Sequence, residues 1–211
     1  MRRICRFFAV AVALSLGSAC SILPQAEPAD VYRLPSAPSS RAVPMSTAVN
    51  WSLRLNKPLA SDALNTPKIA VIPEGNLISS YKGARWSDPA PLLLRNRMLD
   101  AFQRDGRIAR LSADDSNLQA DFELAGELQA FQSEYSADGL AVVIRYDARL
   151  VQGRSQRILA SHRFEVRQPL SDKQLPAVVS GFGIASDRLM AQLVDWTLVQ
   201  ANQLQTQAKN Q

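Results

Sequence analysis

Hydrophobic and polar positions along this chain alternate in two distinct periods. In AVNWSLRLN, residues 48–56, Val49, Trp51, Leu53 and Leu55 alternate with polar residues, the period-two pattern of a strand with one buried face. KIAVIP, residues 68–73, is a short unbroken apolar run of the kind a central strand uses. Three longer alternations follow, at ADFELAGELQAF, GLAVVIRYDARLV and RILASHRFEV. Their inward sets are Phe122, Leu124, Gly126 and Leu128, then Leu140 through Leu150, then Ile158 through Val166. The links between them, about 132–139 and 152–156, are short enough to predict an antiparallel meander.

Two segments carry helical spacing instead. Leu94, Met98, Ala101 and Phe102 share one face of a helix that Asp88 is placed to cap, Pro89 to begin and Gly106 to end. Arg95, Arg97, Gln103 and Arg104 are expected to face away from that stripe. A second helix is predicted over 176–203, with Val178, Val179, Phe182, Leu189, Leu193 and Trp196 as its apolar stripe. Gly181 and Gly183 weaken it by about 1 kcal/mol each relative to Ala, which predicts a close approach to the sheet or a break there. These elements predict an α+β fold: a two-layer domain, mostly antiparallel sheet, packed by two amphipathic helices.

The first residues do not belong to that domain. Arg2, Arg3 and Arg6 precede an apolar run from Phe7 to Leu16, and Leu16-Gly17-Ser18-Ala19-Cys20 closes the stretch. Charged, apolar and small-residue regions in that order form an export signal, here residues 1–19, too short for a permanent span. Cys20 after small residues resembles the lipobox of bacterial lipoproteins, although Gly17 stands where the large aliphatic residue is usual. Such processing attaches a diacylglycerol and a further acyl group such as palmitate at Cys20, and more than one chain makes an anchor stable. Ser21 and Ile22, in place of an Asp after the cysteine, then imply passage to the outer membrane, on its periplasmic side. Residues 20–30 read as a Pro- and Ala-rich tether, 31–203 as one domain that begins with VYRL as an edge strand, and 204–211 as a polar tail.

Composition changes little once the signal is removed. Taking its three arginines from the 24 Lys and Arg leaves 21 against 19 acidic residues, a net of +2. Those charges are scattered, which argues against nucleic acid as a partner. Cys5 leaves with the signal, so no thiol remains for a disulfide or metal site. His162 is the one histidine, and its apolar neighbours of the same parity place it at a sheet–helix boundary. Asp114-Asp115 reads as a solvated turn. No phosphate loop, metal-ligand spacing or nucleophile elbow is present, which disfavours an enzyme and calls for no cofactor.

The segment YKGARWSDP, residues 81–89, stands before the first helix where a plain turn would suffice. Trp86 can pack on that helix as a hydrophobic staple, whereas Arg85 has no local assignment. The order VYRL, WSLRL, KIAVIP and YKGARWSDP, with a terminal amphipathic helix, resembles the ABC-type transport auxiliary lipoprotein family. The Tyr81, Trp86 and Pro89 spacing with Arg85 is its most specific part. The resemblance implies a non-catalytic subunit serving an intermembrane lipid transporter of the MCE type, such as the Pqi system. The partners it implies are an MCE-family protein, an ABC permease and ATPase, and the outer membrane through the lipid anchor. A phospholipid and a second copy of the chain are further candidates. Tyr81, Arg85 and Trp86 are the expected partner-binding residues. A structural envelope lipoprotein that binds peptidoglycan or supports a cell-wall synthase is the alternative, and a lipid carrier with its own cavity is a third.

Overall fold

The computed structural model describes residues 28–36, 48–116 and 118–209; the signal, Cys20 and most of the tether lie outside them. In chain order the elements are β1 (Asp30–Tyr32), β2 (Ser52–Leu55), β3 (Leu59–Ala60), β4 (Lys68–Glu74) and β5 (Leu77–Trp86). Helix α1 (Ala90–Asp105) and β6 (Arg110–Ala113) follow. Then come β7 (Phe122–Ser136), β8 (Gly139–Gln152), β9 (Ile158–Pro169) and helix α2 (Leu175–Lys209).

Strand β7 is the spine of the sheet. Along one edge it receives three short parallel partners in succession: β2 at Phe122–Leu124, β3 at Glu127–Leu128 and β4 at Gln132–Glu134. Along the other edge it pairs antiparallel with β8 from Phe122 to Ser136, and β8 pairs antiparallel with β9. Beyond β4 lie β5, antiparallel, and then β1, parallel to β5; beyond β2 lies β6, also parallel. The sheet is therefore mixed, and the expected preponderance of antiparallel pairing holds only for its long ladders. The expected link at 132–139 is largely strand, because β7 runs on through Gln132, Ser133 and Glu134 to Ser136.

Both helices cover one face, α1 over β2 and β6, α2 over β8 and β9. Leu53, Leu55, Leu94, Met98, Leu124, Ile144, Phe182 and Leu193 are fully buried between the layers. Helix α2 does not break at its glycines. A Cβ on Gly181 would stand 2.5 Å from Leu170 Cδ2 and 3.2 Å from Val142 Cγ2, so the helix axis approaches β8 closely there. The helix also continues past 203 to Lys209, since Gln, Ala and Lys are good helix formers and the expected tail supplies them. At the start of α1 the cap is Pro89, in extended geometry (φ −56°, ψ 144°), with no side-chain bond; Asp88 accepts from Ser87 Oγ instead. Gly106 ends the helix in the left-handed conformation, as expected.

The opposite face of the long strands is covered by paired charges. Arg145 meets Glu165 at 2.7 Å, Arg163 meets Asp147 at 2.6 Å, Arg149 meets Glu127 at 2.6 Å and Arg167 meets Glu134 at 3.3 Å. Exposed pairs of this kind add little to stability, because solvent screens them, but they keep the outer face polar and register-specific. Glu123, buried to 5% exposure, takes Arg54 at 2.6 Å, Asn56 Nδ2 at 3.1 Å and Gln156 Nε2 at 2.9 Å. Burial pushes its carboxyl up, but the three donors more than offset this and leave it below the usual value of 4.5.

Segment 81–86 is strand, not turn. Tyr81 and Trp86 both face the helix layer although they are five positions apart, which a regular strand forbids. Between the register pairs Lys68–Arg85 and Ala70–Ser80 strand β5 carries three more residues than β4, an irregularity that contains Gly83 at φ +65° and resets the parity. A Cβ in that conformation costs about 1–2 kcal/mol. Gly83→Ala should lower the unfolding free energy by about that amount and Gly83→Asn by less, as measured in denaturant. Equal, negligible losses would mean the bulge is dispensable. Because the Glu123 carboxyl is depressed in the fold, its stabilisation is complete above pH 4.5 and is lost as pH falls through its lower folded value. Glu123→Gln should therefore flatten the acid limb of stability against pH, and an unchanged limb would contradict the network.

Candidate functional site

The three residues singled out at 81–86 take different positions. Trp86 has no exposed surface. Its indole packs edge-on against Phe182 of α2, with centroids 5.1 Å apart, and against Phe131 of β7 at 6.1 Å. It belongs to the core, and its partner surface is internal. The staple onto α1 is superseded by contacts with α2 and β7. Tyr81 is half-buried, its hydroxyl 2.9 Å from Ser133 Oγ, and burial raises its phenol above the ordinary value. Arg85 points outward, with one bond from Nη1 to the Trp86 carbonyl at 3.4 Å.

Arg85 stands in a cross-strand row. Its register partners are Val31 on β1 and Lys68 on β4, and all three side chains are exposed. Among the described residues, neither Arg85 nor Lys68 pairs with a carboxylate. Like charges directly opposite each other on neighbouring strands destabilise a sheet, so this row differs from the neutralised face of β7–β9.

Two open clefts of about 290 Å³ each flank the start of α1. Here the structure departs from the sequence reading, because Arg95 and Arg97 are buried, at 8% and 7% exposure. Arg95 holds Asp114 at 3.2 Å and Asp115 at 2.8 Å, so that acidic pair is an anchored turn. Asp114 also accepts the Lys57 amide at 3.0 Å. Arg97 donates to the Pro35 carbonyl and lies 3.3 Å from Asp187 of α2. Burial lowers its guanidinium from the ordinary value, while Asp187 and Asp100 oppose that shift. Pro35 is also what Gly183 makes room for: a Cβ there would lie 3.0 Å from the Pro35 oxygen. Residues 33–36 are thus strapped across both helices. The arginines gave no local signal of this, since their partners Pro35 and Asp187 are distant in sequence.

The carboxylates of both clefts are engaged by arginine or serine donors, which leaves them poorly placed for acid–base chemistry. His162 lies at the sheet–helix boundary against Phe164 and Trp196, at centroid distances of 4.5 and 6.2 Å, yet remains exposed. Among the described residues no group of three His, Cys, Asp or Glu side chains is gathered for a metal. No described helix is long and apolar enough to cross a membrane.

The family model of the ABC-type transport auxiliary lipoprotein component matches residues 32–194, from β1 into α2. The chain belongs to this family. The solved protein XCC0632 of Xanthomonas campestris, a DUF330 protein, is 30% identical with a TM-score of 0.77, over 84% of this chain and 99% of that one. Another solved structure, of an uncharacterised protein, shares the fold at 17% identity and a TM-score of 0.61, over 80% of this chain and 98% of that one. The uncharacterised protein bll6063 of Bradyrhizobium diazoefficiens is 28% identical over 158 residues, 74% of this chain. The chain spans 42% of the length of that curated relative. Membership makes this an auxiliary lipoprotein of an ABC-type transport system, with the membrane-anchored envelope location its family carries.

Arg97→Met keeps most of the apolar stem while deleting every donor. It should cost about 1–3 kcal/mol and speed hydrogen exchange at the Ser87 amide, whose acceptor is the Tyr32 carbonyl. Unchanged exchange would show that the strap is held by other contacts.

Proposed function

We propose that this auxiliary lipoprotein is a non-catalytic accessory subunit that docks a lipid-carrying MCE-type assembly at the outer membrane. Arg85 and its row form the contact. The observation that carries this reading is the exposed Val31–Arg85–Lys68 row, two cations without a carboxylate partner among the described residues beside an apolar side chain, in contrast to the charge-paired outer face of β7–β9. Such a row complements an acidic partner surface, and Arg is among the side chains that most often dominate binding. ATP hydrolysis belongs to a partner, since this chain has no Walker motif. The carrier alternative is less favoured because Trp86, Phe131, Phe182 and Leu94 fill the space between helices and sheet where a lipid would lie. The alternative of a peptidoglycan-binding lipoprotein has no comparable side-chain observation behind it.

Arg85→Glu should leave stability within about 0.5 kcal/mol, since the side chain is exposed. It should sharply reduce recovery of the MCE protein or permease from crosslinked envelopes, quantified by mass spectrometry. Full recovery of those subunits with the variant would remove Arg85 from the interface. Recovery of the wild-type protein with sacculi alone would favour the cell-wall reading.

A further inference from the structure

The end of the domain opposite Arg85 carries exposed apolar side chains that the docking row does not use. The β4–β5 hairpin turns between Glu74 and Leu77, and Leu77 and Ile78 at its tip are 62% and 43% exposed. Ile72 is in register with Glu134 of β7, so the tip lies at the same end as Tyr135 and the β7–β8 turn. Lys173, from the loop after β9, stands 5.8 Å over the Tyr135 ring. Exposed Leu and Ile beside a Tyr and a Lys is a combination suited to a membrane interface, where apolar stems enter and polar tips stay wet.

Chain length and direction say what covers this end. Strand β1 runs parallel to β5 with Asp30 opposite Ala84, so the chain reaches Asp30 from the Leu77 side. From Ala84 back to Leu77 is roughly 23 Å along the strand. The ten residues from Cys20 to Asp30 extend to roughly 30 Å. A lipid at Cys20 is therefore within reach of the hairpin tip and of at most several Å beyond it.

We infer that Leu77 and Ile78, with Tyr135 and Lys173 beside them, rest on the phospholipid surface that holds the Cys20 anchor. This rests on the lipoprotein reading. Glu74, Asp138 and Asp172 are exposed at the same end, so the surface contacted is a zwitterionic headgroup layer in preference to an anionic one. The tip enters to the headgroup–acyl boundary, about 5–10 Å deep, and the two contacts hold the domain upright with the Arg85 row turned away from the bilayer.

After processing, Cys20 is blocked by lipid and Cys5 is gone, so an introduced cysteine is the only free thiol. Full-length protein carrying Ile78→Cys, or Leu118→Cys at the far end of β7, is labelled with an environment-sensitive dye and reconstituted in phosphatidylethanolamine–phosphatidylcholine vesicles. Mass spectrometry first establishes whether Cys20 is acylated. The expected result on acylated protein is a blue shift and strong quenching by spin-labelled lipid at position 78, with neither at 118. Equal responses at the two positions, or none at 78, on acylated protein overturn the contact while leaving the anchor intact. A shift at 78 that follows protein density and ignores the quencher identifies a second copy as the occupant and also overturns it. Absence of acylation overturns the lipoprotein reading and this contact together.

Discussion

The packing of Trp86 between Phe131 and Phe182 is the contact on which the rest of the domain depends. It joins the end of β5 to the spine strand β7 and to α2, three elements far apart in sequence, around one indole with no exposed surface. Aromatic contacts of this size bury 150–250 Å² per ring and favour edge-on geometry, which fixes orientation as well as distance. With Trp86 held inward, the parity of β5 forces Arg85 outward and brings Val31 and Lys68 into its row. The placement of the proposed docking row is thus a consequence of the core.

Charge is used in two ways on this framework. On β7–β9 nearly every outward arginine meets a carboxylate across a strand, and in the clefts Arg95 and Arg97 are sunk into the fold as internal ties. Burying an arginine is costly unless its donors are engaged; terminal nitrogens of both meet carboxylates, with the Pro35 carbonyl added at Arg97, while the Nε of each is buried without a partner among the described residues. Against that background an unneutralised pair on adjacent strands is what a binding surface retains. On the proposed reading, the domain has a polarity, with lipid at the β4–β5 hairpin end and the partner at the Arg85 end.

Much of this was legible from periodicity. Alternation located β2 and the long strands, and the Leu-rich stripe with Gly106 located α1, because one-sided burial imposes those periods directly, while an unbroken apolar run located β4. The misreadings share a cause in long-range contact. Segment 81–86 looked like a turn because the Gly83 bulge breaks the period of two, and β7 looked too short because Ser133 is polar yet buried under the Tyr81 hydroxyl. Arg95 and Arg97 looked solvent-facing because nothing near them in sequence reveals a carbonyl at Pro35 or a carboxylate at Asp187. The proposed contact residue Arg85 was marked by its resemblance to a family pattern. Its partner Lys68 could be found only from the strand register.

The central claim is that an ABC-type transport partner meets the domain at the Arg85 row. Site-specific photo-crosslinking from position 85 in living cells, with position 118 as the distant reference, tests it most directly. The account predicts an adduct from position 85 that contains a subunit of the transport system and is absent from position 118. Adducts only with the cell wall, or the same transport adduct from both positions, would contradict it.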